Sequence, residues 1–507
     1  MRSRRFAVVT FTLRAREPLT IGDPLRRDVT ERIAQATART AADERDGIDV
    51  SIPVAQDPQG HAVTRGTSVF GVLRCHLSGY ELVPQIPLTL RGIDSRDPGR
   101  RWSRPATLAD LLCGSEPEEL LSGGGTGGTG KAAHRPSALR LAHAELAPVP
   151  IDDGPTRTAV SRDNGAGVAH KLFRRARVHD AVIEVVLQVD LPILEAQLTA
   201  WGIGGPTPDP TMVVDDLLSA IAAWRPLIGG WVGTGTGSAE VTTLRGGLAD
   251  PLPVHALLAA DTTLDLMRAV AAGPAPTRAL RVCRDAPQAD AWRLDLPLVC
   301  LDPLLIAPRP APLPGRDNRA VTSETVPGSS WRGLFRSRAE FILRSCGVQV
   351  CESSDRTCGD CPTCDLFGWA PAADDPPEQQ GAQGRIRFGD STVTGETLTY
   401  VHAPIDRFTG AAADGRLYER TSWRPGSTMT LTAHQVSPRR PVPEWARWLL
   451  LLVARDLHDG LVGVGNSTTR GYGTVAVTDP AVLSTVPPGW LDTLEPGGAR
   501  TSTGATA

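Results

Sequence analysis

The chain of 507 residues contains no run of about eighteen apolar residues, which argues against a membrane-spanning helix. Met1-Arg2-Ser3-Arg4-Arg5 leads into an alternating stretch, Phe6 to Leu13, that reads as a strand rather than a secretory signal, so the expected location is cytoplasmic. A surplus of either charge is also missing. Lys and Arg number 53 against 56 Asp and Glu, a formal net charge of -3. A protein that wrapped naked polyanion by itself would usually be basic, so any basic surface must be local, and the acidic balance elsewhere suits protein partners. Lysines are few while Ala, Arg, Gly and Pro abound, which reflects coding bias rather than function. Nine cysteines are present, and only four lie outside a short span. The odd count and the lack of a secretion signal disfavour a disulfide framework. What remains is ample for globular cores: 41% hydrophobic residues, with room for two or three domains.

Against this background one stretch occurs twice without a gap. Val160-Ser161-Arg162 through Lys171-Leu172-Phe173-Arg174-Arg175 aligns with Ile405-Asp406-Arg407 through Arg416-Leu417-Tyr418-Glu419-Arg420. The repeat sets cationic and aromatic residues around a Gly-Ala turn, a composition suited to a polyanion with stackable faces, so it points to nucleic acid. The correspondence extends further. Arg65-Gly66-Thr67-Ser68-Val69-Phe70-Gly71-Val72-Leu73-Arg74 matches Pro327-Gly328-Ser329-Ser330-Trp331-Arg332-Gly333-Leu334-Phe335-Arg336, each read as a turn feeding a helix with the hydroxyl residue as N-cap. Leu112-Cys113-Gly114 answers Leu366-Phe367-Gly368, and Leu139-Arg140-Leu141 answers Ile386-Arg387-Phe388. Strands are expected at Val182 to Leu191 and Thr428 to Val436, followed by helices at Leu217 to Trp224 and Trp445 to Leu457.

Both halves close on glycine-rich turns, Gly229 to Ser238 and Gly463 to Gly473. No lysine follows in the pattern of a phosphate-binding loop that opens a helix, which speaks against a nucleoside triphosphate site. Backbone N–H groups in such turns can instead cradle an RNA phosphate, with Arg470 adding charge.

Five cysteines cluster at Cys346, Cys351, Cys358, Cys361 and Cys364. Two stacked Cys-x-x-Cys steps plus Cys351 supply four thiolates for tetrahedral structural Zn2+, with Cys346 as the alternative fourth ligand. Four protein thiolates leave no open coordination position, so the metal pins a loop to the helix Trp331 to Cys346. Redox chemistry is disfavoured because no thioredoxin-like βαβ setting surrounds the motif.

Ile21-Gly22, the turn Gly328 to Gly333, Leu366-Phe367-Gly368 and Arg470-Gly471-Tyr472-Gly473 together resemble the RAMP superfamily, the backbone subunits of type III CRISPR effector complexes. The resemblance spans Phe6 to Val241 and Leu294 to Val477, and the first copy departs from it at Gly233 to Gly237. It implies an α+β fold of two tandem ferredoxin-like (RRM-like) RAMP domains, each with a thumb β-hairpin, and a zinc-binding insertion in the second. The expected layout is 1–250 for the first domain, with its thumb near 155–180, and 251–290 for the linker. The second domain takes 291–486, with the zinc loop at 346–364 and the thumb at 402–424, and a disordered tail follows at 487–507. Subunits of this kind stack along a guide RNA, and each thumb splays one base pair of the guide–target duplex.

On that pattern Arg162, Lys171, Arg175, Arg407, Arg416 and Arg420 would hold phosphates while Phe173 and Tyr418 pack the hairpin or face a base. Ser68, Arg74, Ser329, Ser330, Arg332, Arg336 and Arg470 complete the expected RNA-binding set. Asp46 to Val54 is similar to the loop of target-cleaving members, which makes Asp49 the catalytic candidate, acting as a base or holding Mg2+ or another divalent ion. Asp317, between two arginines, is the weaker candidate and more simply a turn or ion-pair residue. The implied partners are guide CRISPR RNA, complementary target RNA and other RAMP and large subunits, and no membrane. The implied activity is RNA-guided endoribonuclease cleavage of single-stranded target RNA. The alternatives are a non-catalytic guide-binding or assembly subunit, or a guide-processing nuclease using a histidine such as His170 or His402. Trp331 and Trp423 are expected in cores. Leu121 to Gly130 and Ala370 to Gly384 read as flexible insertions.

Overall fold

The computed structural model describes residues 5–22, 50–83, 85–91, 101–114, 119–120, 136–154, 156–160, 167–249, 258–273, 292–306, 319–351, 357–371, 381–413, 416–437, 440–483, 486–492 and 494. Asp49, Arg162, Asp317 and the Leu121 to Gly130 insertion lie outside them.

The first part of the chain runs β1 (Phe6–Ala15), β2 (Val50–Ile52), α1 (Gly66–Leu77), α2 (Leu108–Cys113), β3 (Leu139–Leu146), β4 (Thr156–Val160), β5 (Gly167–Arg175), β6 (Val182–Asp190), α3 (Leu191–Trp201), α4 (Thr211–Ala222), β7 (Ala239–Ala249) and α5 (Thr263–Ala271). An antiparallel sheet in the order β7-β1-β6-β3 forms its centre. The period of two in β1 explains how that sheet is covered: Ala7, Val9, Phe11 and Leu13 enter the large core, while Val8 joins Val186, Ala249, Val270 and Ala271 beneath α5 on the other face. Helix α1 contributes Val69, Leu73 and Leu77, a stripe at four-residue spacing, to the first core. Asp190 ends β6 and caps α3 by accepting the Ile193 N–H at 3.1 Å.

The second part runs β8 (Arg293–Cys300), β9 (Arg319–Val321), α6 (Gly328–Ser345), α7 (Pro362–Phe367), β10 (Ile386–Phe388), β11 (Thr397–His402), β12 (Tyr418–Trp423), β13 (Thr428–Gln435), α8 (Glu444–His458) and β14 (Val475–Val477). Its sheet is also antiparallel, in the order β10-β13-β8-β14. Trp331, Phe335, Ala339 and Leu343 of α6 and the apolar face of α8 fill a second core against it. Trp423 is buried there too.

The two sheets share their register as well as their order. Val8 and Arg293 face Gln188 and His434, which in turn face Arg140 and Arg387. Farther along the same strands, Leu13 and Leu298 face Ile183 and Met429. Beside each sheet, a short parallel strand pairs Ile52 with Arg175 and Ala320 with Arg420. The glycine turns match bond for bond: Gly237 N–H donates to Pro18 and Gly473 N–H to Pro303, at 3.0 and 2.9 Å, and Trp231 and Ser467 are both left-handed at φ 61° and 63°.

Three expectations change. The N-caps of α1 and α6 are Arg65 and Pro327, not hydroxyl residues, and neither makes a side-chain cap bond. Asp390, distant in sequence, accepts the first-turn N–H of Gly328 at 2.7 Å and so replaces a local cap on α6. Helix α4 begins at Thr211, ahead of the apolar stretch that marked it. Beyond Pro487 the chain is not all tail, because Trp490, Leu491 and Leu494 pack against the second core. Among the described residues no helix is long and apolar enough to cross a membrane.

Candidate metal centre and nucleic-acid face

The metal centre is assembled from two neighbouring pieces of chain. Cys351 follows the end of α6, and Cys358, Cys361 and Cys364 sit on the turn that starts α7. Pro362 at the first helical position fixes the entry into α7 and carries Cys364 back toward Cys361. The four Sγ atoms lie within 4.8 Å of one another. Cys351 stands 3.6, 3.6 and 3.4 Å from Cys358, Cys361 and Cys364. A tetrahedron of thiolates about 2.3 Å from zinc has edges of roughly 3.8 Å, so this donor set fits zinc without rearrangement. The fourth thiol of the cluster is that of Cys351. Cys346 is exposed and outside the cluster.

The thiols influence one another strongly. A hydrogen bond from Cys364 holds Cys361 down, to about 3, whereas the Cys364 thiol is pushed up in turn and burial pushes Cys358 up. Thiols packed this closely cannot all ionise unless a cation shares the charge, which is the condition a bound metal meets. A supporting layer surrounds them. Arg336 donates to Cys364 Sγ at 3.4 Å, to the Gly368 carbonyl at 2.7 Å and to Glu340 Oε1 at 3.0 Å, and Glu340 is fully buried. Arg336 is therefore turned inward, although the sequence pattern grouped it with RNA-binding residues. Arg332 likewise points to the Phe367 carbonyl.

A second constellation lies on the hairpin of β11 and β12, which pair from Thr397 with Trp423 to His402 with Tyr418. Where the paired strands give way to the connecting loop, His402 stacks on Tyr418 with ring centroids 5.0 Å apart, and its Nε2 is 2.8 Å from the Tyr472 hydroxyl. Arg420 lies 5.3 Å over the Tyr418 ring and donates to Ser467 Oγ at 2.6 Å. Tyr400 meets Tyr472 edge-on at 6.3 Å. Burial, then the charges of Arg420 and Arg470, lower the His402 pKa. At the far end, Asp406 accepts the N–H groups of Phe408 and Thr409 at 2.8 and 2.9 Å, a turn that leaves Phe408 91% exposed. Arg407, Arg416 and Arg470 are exposed on the same part of the molecule as this hairpin and its neighbouring glycine turn. Sequence reasoning singled out Tyr418 and Arg420. It had no signal for Tyr400 and gave no role to Tyr472, because the contacts that unite them cross from the hairpin to a turn near the C-terminal end.

In the first part, strands β4 and β5 pair antiparallel, with Arg157 opposite Phe173, and Lys171 lies within β5. The Arg175 guanidinium sits 5.1 Å over the Trp231 ring, where Arg420 instead meets Ser467. Ser68 is exposed on the first turn of α1 and Arg74 half-buried near its end, while Ser329 and Ser330 occupy the first turn of α6. The first glycine turn faces protein. Its Val232 carbonyl accepts from Arg387 Nε at 3.2 Å, and Arg387 also pairs with Glu17.

The RAMP superfamily model matches residues 197–476, from within α3 into β14. No curated protein matches the chain. With more than half of the 507 residues covered, the chain belongs to the RAMP superfamily, the CRISPR-associated RNA-binding proteins.

Proposed function

We propose that the chain is a fused pair of RAMP modules acting as a backbone subunit of a type III CRISPR ribonucleoprotein, binding guide RNA and cutting complementary RNA. The shared register of the two sheets, their flanking short strands and their glycine turns is the observation that carries this reading. The hairpins of β4–β5 and β11–β12 serve as thumbs. Phe408, exposed at the tip of the second, is the wedge between bases, and the His402–Tyr418–Arg420 stack where its paired strands end receives a base or phosphate. Base–aromatic stacking of about 1–3 kcal/mol per base offsets part of the cost of local unpairing.

Asp49 is the residue we assign to cutting. A carboxylate beside a splayed nucleotide takes the proton of a 2′-hydroxyl as it attacks the adjacent phosphate, directly or by holding a hydrated divalent cation. Ile52 and Ala320 hold the same register position opposite Arg175 and Arg420, and counting three residues back along the sequence reaches Asp49 and Asp317. That correspondence makes Asp317 the matched residue of the second module and the first place to look for a second cut.

The test loads the purified chain and its complex with guide and supplies complementary RNA. Asp49→Ala is expected to lower cleavage by about a hundredfold or more with target binding kept. Products should carry a 2′,3′-cyclic phosphate and a 5′-hydroxyl. Asp317→Ala, alone and combined, reports whether the second module contributes. Unchanged cutting in the double variant would leave the chain as a guide-binding or assembly subunit. The His402–Tyr472 contact beside Arg420 and Arg470 favours one other reading, guide processing, in which His402→Ala would leave precursor RNA uncut.

A further inference from the structure

The first glycine turn commits its Val232 carbonyl to Arg387, yet the residue before it stays at the surface. Trp231 is 39% exposed and, among the described residues, belongs to none of the hydrophobic cores. Its backbone suits it poorly as well. The turn needs a left-handed residue at this place, with φ 61° at Trp231 and 63° at its counterpart Ser467, and a bulky side chain makes that conformation costlier than glycine would.

The bonds around the turn hold it there. Gly230 N–H donates to the Thr20 carbonyl at 2.8 Å, and the Gly230 carbonyl accepts from Thr20 Oγ1 at 2.7 Å and Thr236 Oγ1 at 3.0 Å. The Trp231 carbonyl accepts from Thr234 N–H at 2.9 Å and Thr234 Oγ1 at 2.8 Å, and all three threonines are buried. On the side of residues 230 and 231 these bonds use backbone atoms alone, so a smaller side chain at 231 would leave them intact. A strained residue that its surroundings fix, with its side chain kept at the surface, is the pattern of a functional position.

Arg175 of β5 brings charge to the same spot. Its guanidinium lies 5.1 Å over the Trp231 ring, and it passes so close to the turn that a Cβ on Gly230 would stand 3.3 Å from Nη1. The ring therefore sits where the first hairpin meets the first glycine turn. In the second part Ser467 takes the place of the tryptophan, and Arg420 lies over Tyr418 of its own strand. A flat aromatic surface backed by a guanidinium suits a ligand that joins a π face to negative charge, as a nucleotide does, whereas a phosphate alone would need no ring.

We infer that Trp231 is a stacking platform for a base of single-stranded RNA, with Arg175 supporting the ring and meeting the adjoining phosphate. The inference rests on the RNA-binding reading and adds that the first glycine turn grips a base. Stacking tolerates any sequence, so the platform serves every target alike.

Fluorescence anisotropy of the full-length chain with a labelled single-stranded RNA, and with an abasic RNA of the same length, tests this. Trp231→Gly should weaken binding of the base-bearing RNA on the order of tenfold and Trp231→Phe by less, while binding of the abasic RNA stays unchanged in both. Because glycine adopts the left-handed backbone freely, the melting temperature of Trp231→Gly should hold or rise. A lower melting temperature in that variant would mark the ring as packing and overturn the inference. Affinity for base-bearing RNA that is unchanged in Trp231→Gly, or reduced equally for both RNAs, would overturn it while leaving RNA binding in place. A wild type that binds neither RNA would sink the RNA-binding reading and the platform together.

Discussion

His402 illustrates how a single residue takes its properties from neighbours remote in sequence. Burial, Arg420 and Arg470 all oppose its protonation, and its pKa falls below the ordinary histidine value of about 6.5. A folded pKa below that of the unfolded chain means the unfolded state takes up the proton first. The stability tied to this site is thus complete above about pH 6.5 and declines as pH drops through and below that value. His402→Phe, which keeps the stack on Tyr418, should flatten the acid limb of stability between about pH 6.5 and 5, measured by denaturant unfolding against pH. A profile identical to wild type would mean that His402 titrates as a free imidazole. Nothing in the sequence around His402 announces this, since its partners Tyr418, Tyr472 and Arg470 come from elements up to about seventy positions away.

Among the elements, the four-cysteine loop was the most legible. Its ligands fall within a short span, so local spacing alone brings them together, and the observed thiolate cluster matches the expected set of Cys351, Cys358, Cys361 and Cys364. The supporting residues Arg336 and Glu340 were not legible, because they reach the site from the buried face of α6. Purified protein should contain about one zinc per chain by elemental analysis. Chelation, or Cys361→Ser, should unfold α7 and loosen α6, removing a contribution on the order of 10 kcal/mol to local folding. The readout is a lower melting temperature of the second core and loss of amide-exchange protection along α6. An unchanged melt after complete zinc removal would mean that the loop folds without metal. The β11–β12 hairpin was expected from its aligned repeat, while the cap of α6 was misread because Asp390 supplies its carboxylate from a distant part of the chain.

For the whole molecule, the decisive contact is the one between the two parts. Arg387 is nearly buried, and it links Glu17, the Val232 carbonyl and the first glycine turn to β10. Arg387→Met removes the cation and leaves Glu17 partly enclosed without its partner, which should cost about 2 kcal/mol, less than a fully buried pair because Glu17 keeps some solvent. Calorimetry should then show the unfolding of the two cores separating into two transitions where the wild type gives one. A single transition at unchanged temperature would mean that the parts are coupled by other contacts.

Strand alternation, the aligned repeats and the four-cysteine spacing were all readable from the residues alone. These depend on periodicity and short spacing, which the chain carries in its order of residues. Which surfaces those repeats present emerged with the folded chain. It turned Arg336 inward to the thiolates, gathered Tyr400, His402 and Tyr472 around Tyr418, and pressed one glycine turn against protein while leaving its counterpart open. The reason is physical: a side chain's role depends on the groups that share its local dielectric and its hydrogen bonds, and folding brings those together from distant parts of the chain.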